Sequence, residues 1–475
     1  NATNPEDLKS GFDFGRANDD QSVAMQGFFL EPGVITRRYD ELTDNNFDAS
    51  FDITWDVFDS GSSFSSMKFG AQAILRDRDS DSETYGFNIN QSQQGLLSAE
   101  NVLVSDVVYV CGSGSGATSC QNTGNPDGSG QSPTGGITTS RETGLVFDDK
   151  TLVSDSYDAE LDYNSVYAMY DHTFDTTWQV VVGARYEMFE QVTNTFAITG
   201  EGLPVESVIE EDSLLPSLSL NWFYRDDQQL RLAVSETVAR PDFKEAANAV
   251  FYDNEFNFRV RGNPFLEVAS VRNADLRWEW YPNEEDSLSI ALFYKDIDKP
   301  IERVVQLASG TAGNSRTFRN AESGELSGVE IEGRKEFLLS DDYSRSLFVS
   351  FNASVIESEV SLVNDDPREL QGQPEYTANL VIGYDDFSNG QQLTFLVNQN
   401  GASIADVGLS GAPDVYLEPR MEANLVYRWD ISETATFKAK LDNIFNSELE
   451  YTQGGQTFQS YEKGTKVSIS IDWDF

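Results

Sequence analysis

Carboxylates are the most abundant reactive groups in this sequence, and one run of them has ligand-like spacing. Asp77, Asp79, Asp81 and Glu83 alternate, so an extended chain puts all four on one side, where their oxygens could face a Ca2+ ion. The run departs from a helix–loop–helix calcium site, with Ser82 at the sixth position instead of Gly and Asn88 at the twelfth. A solvated acidic segment is the plainer reading, and no other metal site is indicated. Cys111 and Cys120 bracket Gly/Ser-rich residues, a spacing that suits a disulfide closing a small loop in an oxidising compartment; two free thiols are the alternative, or a metal pair, which the lack of a nearby His or further Cys disfavours. The segment from Phe251 to Phe258 places Phe251, Tyr252, Phe256 and Phe258 beside Asn254, Asp253, Glu255 and Asn257. Aromatic faces with amide and carboxylate neighbours can stack on sugars and bond their hydroxyls, though the same run also reads as a loop packing on itself. Arg185, Glu187, Asp275, Arg277, Glu279, Glu330, Glu332 and Arg334 fall at alternate positions. They read as a wet face, stabilised by cross-strand pairing or lining a polar interior. No catalytic pair stands out, because carboxylates are too common for pairing to carry meaning, and the single histidine, His172, reads as structural.

Composition narrows the field. With 33 Lys+Arg against 79 Asp+Glu, the formal charge is −46, which excludes nucleic acid as a partner. One His and two Cys exclude a zinc centre, and no cofactor is indicated. At 12% aromatic the chain is too rich for an acidic disordered segment. It contains no apolar run long enough for a transmembrane helix. Asn1–Pro5 lack the features of a signal peptide, so the expectation is a mature, processed or truncated chain.

The elements that must position these residues are strands. Val467, Ile469, Ile471 and Trp473 alternate with Ser468, Ser470, Asp472 and Asp474, and the same period of two recurs along the chain. Fifteen strands are expected, near 47–58, 64–75, 160–173, 178–189, 213–224, 229–239, 269–281, 287–296, 319–338, 344–356, 374–385, 391–399, 416–429, 435–446 and 466–475. Short polar turns alternate with long connections near 88–158, 190–212, 241–267, 297–318, 357–373, 400–415 and 447–465. That alternation of sides is expected of an all-β transmembrane antiparallel barrel, with short turns in the periplasm and long loops outside. Trp55, Trp178, Trp222, Trp278, Trp280, Trp429 and Trp473 all lie near short turns or the C-terminus, which reads as one interfacial girdle. An even barrel needs a sixteenth strand within residues 1–46, with Ser22 to Leu30 as the candidate, or strands from elsewhere.

Several blocks then carry a family likeness. Ala239-Arg240-Pro241-Asp242-Phe243 followed by Gly262-Asn263-Pro264-Phe265-Leu266, then Asn273 to Tyr281, Leu292-Phe293-Tyr294-Lys295, Gly328 to Glu332, Gln373-Pro374-Glu375-Tyr376 and Asn443-Ile444-Phe445-Asn446 occur in order. Together they resemble the barrel portion of TonB-dependent outer-membrane receptors of the Caulobacter/Xanthomonas variety. The resemblance implies a barrel of about 22 strands, a plug inside it, and TonB as the energy-coupling partner. Neither a TonB box nor a plug is recognisable in this sequence. The expectation is therefore a C-terminal piece: an extracellular segment over 1–46, then barrel over 47–475, completed by an N-terminal plug-plus-strands piece. The wet-face residues above would meet the plug, and Phe475 resembles the terminal signal for barrel assembly. Outer-membrane lipid and lipopolysaccharide, and a surface lipoprotein, are the further implied partners. The implied function is non-enzymatic active import of a bulky nutrient across a Gram-negative outer membrane. A glycan is expected ahead of a siderophore, cobalamin or peptide. A passive porin of 16 strands and an adhesive surface barrel are the alternatives.

Overall fold

A computed structural model describes residues 36–89, 108–111, 120–122, 145–149, 151–197, 203–253, 258–306, 315–362, 367–409 and 411–473. The chain divides into two compact units. One takes residues 1–44, 78–158 and 195–204, and the other takes 45–77, 159–194 and 205–475.

Among the described residues, fifteen long strands of one main sheet run in sequence order. They are β1 (Thr36–Asp59), β2 (Phe64–Ile89), β3 (Tyr157–Phe174), β4 (Trp178–Phe196), β5 (Pro204–Arg225), β6 (Gln228–Ala239), β7 (Ala269–Trp280) and β8 (Ser287–Asp298). β9 (Ser323–Leu338), β10 (Arg345–Ser361), β11 (Tyr376–Asp386), β12 (Gln391–Asn400), β13 (Arg420–Ser432), β14 (Ala435–Asp442) and β15 (Lys466–Trp473) follow. Each pairs with the next, antiparallel in every register from β5 to β15. Among the described residues the only α-helix is one turn, Phe243–Ala246, capped by Asp242 and Glu245.

Register sorts the side chains. One line of directly opposed residues reads Leu220, Leu232, Leu276, Leu292, Val329, Val355 and Tyr376 from β5 to β11. Apolar pairs continue as Leu380 with Val397 and Leu425 with Leu441. This apolar face is the exposed one: Leu276 is 39% accessible, Leu292 47% and Val329 48%, while Glu279 on the other face is 4%. A soluble sheet hides its apolar face; this one presents it, as a sheet does when its surrounding solvent is hydrocarbon. Exposure rises further at the two ends of the strand order, to 64% for Phe51 on β1 and 68% for Ile469 on β15.

Sharp turns close one end of the sheet. Asp175 and Thr176, both left-handed at φ 46° and 55°, make the two-residue turn between β3 and β4. Between β7 and β8, Asp286 accepts from Glu336 N at 2.9 Å and from Asn283 Nδ2 at 2.8 Å, and pairs with Lys335. These bonds hold its carboxyl down at about 2, with the Lys335 bond the largest cause.

The long connections are not loose. Eight short strands within them form a second sheet, ordered Val250–Asp253, Phe258–Arg261, Ser315–Asn320, Ile301–Gln306, Ser403–Gly408, Val415–Leu417, Glu448–Gln453 and Gln456–Glu462. Two of its pairings are parallel. Val304, Ile404 and Val407 form one buried cluster in it, and Val305, Val415, Leu449 and Tyr451 another.

Three expectations change. The long connection expected at 190–212 is only 197–203, because β4 and β5 continue as half-buried strands whose alternation is polar and so hidden from a hydropathy reading. β1 begins at Thr36 rather than 47; in the first unit Arg38 pairs with Asp40 at 2.7 Å and Arg78 Nε donates to Asp44 at 2.9 Å, charged contacts with no apolar rhythm. The sheet within the connections was not expected at all. The candidate strand Ser22 to Leu30 lies outside the described residues.

Candidate functional site: the polar face of the main sheet

Sequence alternation and strand pleat put the expected wet-face residues on one side. Glu187 on β4 is buried to 7% accessibility and accepts from Tyr163 Oη at 2.7 Å. It pairs with Arg185 at 3.0 Å and Arg240 at 2.7 Å. The Arg240 guanidinium also lies 4.6 Å from the Phe189 ring centre and 5.7 Å from that of Tyr163. The Ala239–Phe243 block thus owes its pattern to position. Arg240 leaves the strand end to reach Glu187, and Asp242 accepts from Lys244 N to cap the helical turn.

A second network spans four strands. Glu279 on β7 receives Arg231 and Arg277 at 3.0 Å each, and Gln229 donates to it as well. Arg277 reaches on to Ser289 at 2.8 Å and Glu332 at 2.9 Å. Arg334 sits 4.2 Å over the Phe348 ring. Glu330 stands opposite Ser354, and Asp275 opposite Phe293. The carboxylates of both networks are held by arginine, an arrangement for packing and recognition.

On the opposite face stand all seven tryptophans, toward the short-turn end. Trp178 and Trp222 stack with ring centres 5.0 Å apart. Trp278 Nε1 donates to Tyr224 Oη at 2.7 Å and Trp280 Nε1 to Asp227 at 2.9 Å. Trp429 opposes Phe437 and Gln391, Trp473 opposes Ala435, and Trp55 is 63% exposed. Apolar faces with bonded N–H groups suit a level where hydrocarbon meets water. His172 packs between Tyr170 and Phe174.

The two-faced sheet, apolar outside and ion-paired inside, is the architecture of one class of protein. The β-barrel model of TonB-dependent receptor-like proteins matches residues 1–459. The chain belongs to the TonB-dependent receptor β-barrel family. Its fold is shared with the siderophore receptor PiuA from Acinetobacter baumannii, at 13% identity and a TM-score of 0.58, over 91% of this chain and 56% of that one. The ferric-catecholate import receptor Fiu from E. coli K12 aligns at 12% identity and a TM-score of 0.56, over 92% and 55%. The ferric citrate transporter FecA aligns at 12% and 0.55, over 91% and 55%. The chain therefore spans little more than half the length of these structures. No curated protein matches it by sequence. Family membership makes this a protein of the Gram-negative outer membrane, where an exposed apolar sheet face suits contact with lipid.

The remaining candidates fare unevenly. Phe251 is half-buried opposite Val260, with Lys244 Nζ 5.6 Å from its ring centre. Tyr252 and Phe258 are placed only as backbone of the same hairpin, and Asn254, Phe256 and Phe475 lie outside the described residues. Cys111 and Cys120 stand directly opposite each other in an antiparallel pair, the placement a bridge would need. Asp77, Asp79, Asp81 and Glu83 lie along β2, where alternate residues are about 7 Å apart, too far for one ion to gather them. Among the described residues no group of three acidic, His or Cys side chains is placed to hold a metal.

The second sheet supplies residues that the sequence reading missed. Asp406 is fully buried between Arg303, at 2.5 Å, and Arg316. Burial pushes its carboxyl up while the two arginines pull it back. Glu302, 1% exposed, pairs with Arg368 at 2.5 Å. Gln371 bonds Arg303 N at 2.6 Å and the carbonyls of Arg303 and Ala405 at 2.8 Å, tying a third connection to the sheet. Short apolar pairs such as Val304-Val305 flanked by charge were the available signal.

Proposed function

We propose that this receptor barrel imports a bulky, hydroxyl-rich nutrient, a glycan ahead of a siderophore, by TonB-dependent active transport. The observation that carries the reading is the polar face, a continuous ion-paired and amide-lined surface opposite a lipid-facing belt. The connections, tied together by the second sheet, form a firm outer rim on which ligand is captured. A plug domain and further strands pairing at the β1 and β15 ends complete the barrel, and TonB acts through that plug. The high exposure of Phe51 and Ile469 supports strand partners at those ends. Cys111 and Cys120 form a disulfide in the outer connection, Phe475 serves barrel assembly, and a surface lipoprotein assists capture. No covalent step is assigned to any residue.

The test is uptake by intact cells of fluorescent oligosaccharides, with and without an uncoupler of the inner-membrane proton gradient. Saturable uptake abolished by the uncoupler supports the reading. Flux that is linear in concentration and indifferent to the uncoupler would instead support a passive channel.

A further inference from the structure

Register draws one line across the polar face that no single strand displays. Gln229, Glu279, Ser289, Glu332, Asn352, Asn379, Asn398 and Glu422 are directly opposed, each to the next, over the eight strands β6 to β13. The line is oblique. It lies within two residues of the short-turn end on β6, β7 and β8, and within two residues of the long-connection end on β12 and β13. It thus climbs from one end of the sheet to the other.

Its chemistry is uniform in two respects. Every position is a hydrogen-bonding side chain without a positive charge. Each carboxylate also carries an arginine from a neighbouring position: Arg231 on Glu279, Arg277 on Glu332, and Arg420 on Glu422 at 2.9 Å. In a chain of charge −46, the three carboxylates of this line are matched by three arginines beside it. Its upper half is an amide relay. Asn400 Nδ2 donates to Asn398 Oδ1 at 3.2 Å, Asn398 donates to Asn379, and Asn379 Nδ2 donates to Asn352 Oδ1 at 2.7 Å. Ser354 and Thr377 add a hydroxyl pair at 2.8 Å one step along. Amides leave a second N–H and a second lone pair for a visitor, and a hydroxyl can donate and accept at once. Moving a hydroxylated solute by one position therefore exchanges like bonds for like, with little change in energy. An anion would find Arg231, Arg277 and Arg420 already paired with carboxylates, and only neutral amide donors along the upper half.

We propose that this oblique line is the transit track of the lumen, and that it selects neutral polyhydroxylated solutes, with Asn352, Asn379 and Asn398 as its specificity residues. The proposal rests on the import reading above and names the substrate class. The experiment uses the full receptor in detergent with 15N-labelled asparagine. It follows the side-chain NH2 signals of the three residues, assigned by Asn→Gln replacement one at a time. The probes are short neutral gluco-, xylo- and manno-oligosaccharides, with an iron–tricatecholate complex as the anionic comparison. The expected result is a saturable shift of all three signals with at least one neutral series and none with the anion. Asn379→Leu should remove the response at Asn352 and Asn398 and slow uptake at least fivefold. Surface binding should stay within twofold and heat-modifiable gel mobility should not change. No response to any neutral probe, or an equal response to the anion, overturns the track. If the amides respond but uptake ignores the uncoupler, the track stands as the lining of a passive channel and only the energised reading falls. If uptake is energised but the amides are silent, the reverse holds.

Discussion

The main sheet and the second sheet dispose apolar and charged side chains in opposite ways. In the main sheet the apolar side chains face out and the charges face in, so Leu292 is 47% exposed while Glu279 is 4%. In the second sheet Val304 and Ile404 are buried as they would be in any water-soluble protein. There, among the described residues, buried charge includes the Arg303–Asp406–Arg316 group and the Glu302–Arg368 pair. The difference teaches that solvent, not sequence pattern, decides which face of a strand is buried. In the proposed orientation, hydrocarbon surrounds the first sheet and water the second. The main sheet is therefore stabilised by its ladder bonds and lipid contact, the second sheet by a small core and a few costly ion pairs.

The comparison breaks most easily at Asp406. Replacing it by Ala removes a carboxylate partner of the buried Arg316 and of the partly exposed Arg303, and should cost about 3–5 kcal/mol of local stability. Backbone amide exchange should accelerate across 301–306, 315–320 and 403–408, while the main sheet keeps its protection and its heat-modifiable gel mobility. Leu276→Arg should show the converse. A cation on the lipid face at mid-sheet costs about 2–4 kcal/mol, so yield of folded receptor in the outer membrane should fall while any receptor that does fold keeps a protected second sheet. The smallest effect is at the short turns. The folded Asp286 carboxyl sits at about 2, below its ordinary value of 3.8. Its contribution is therefore complete above about 4 and is lost as the pH falls toward 2. Exchange of the 281–287 amides should quicken over that window, and Asp286→Asn should remove the pH dependence.

Much of the main sheet was legible because period two survives wherever one face meets lipid. Leu276, Trp278 and Trp280 against Arg277 and Glu279 announced both the strand and its two faces. The upper parts of β1, β4 and β5 were not legible, since stretches such as Thr193-Asn194-Thr195 and Val208-Ile209-Glu210-Glu211 break the two-residue contrast. The second sheet escaped for a different reason: its strands are three to seven residues long and pair between connections distant in sequence. The oblique line escaped because it exists only in register. Asn352, Asn379 and Asn398 are unremarkable singly, and only strand pairing makes them neighbours.

The account stands on which face of the main sheet meets lipid, and two adjacent residues test it. Val329→Cys and Glu330→Cys, each carrying a nitroxide in native outer membranes, would be compared for relaxation by dissolved oxygen and by a water-soluble nickel chelate. Oxygen should dominate at 329 and the chelate at 330. Chelate access at 329 equal to that at 330 would place both faces in water and contradict the lipid-facing belt.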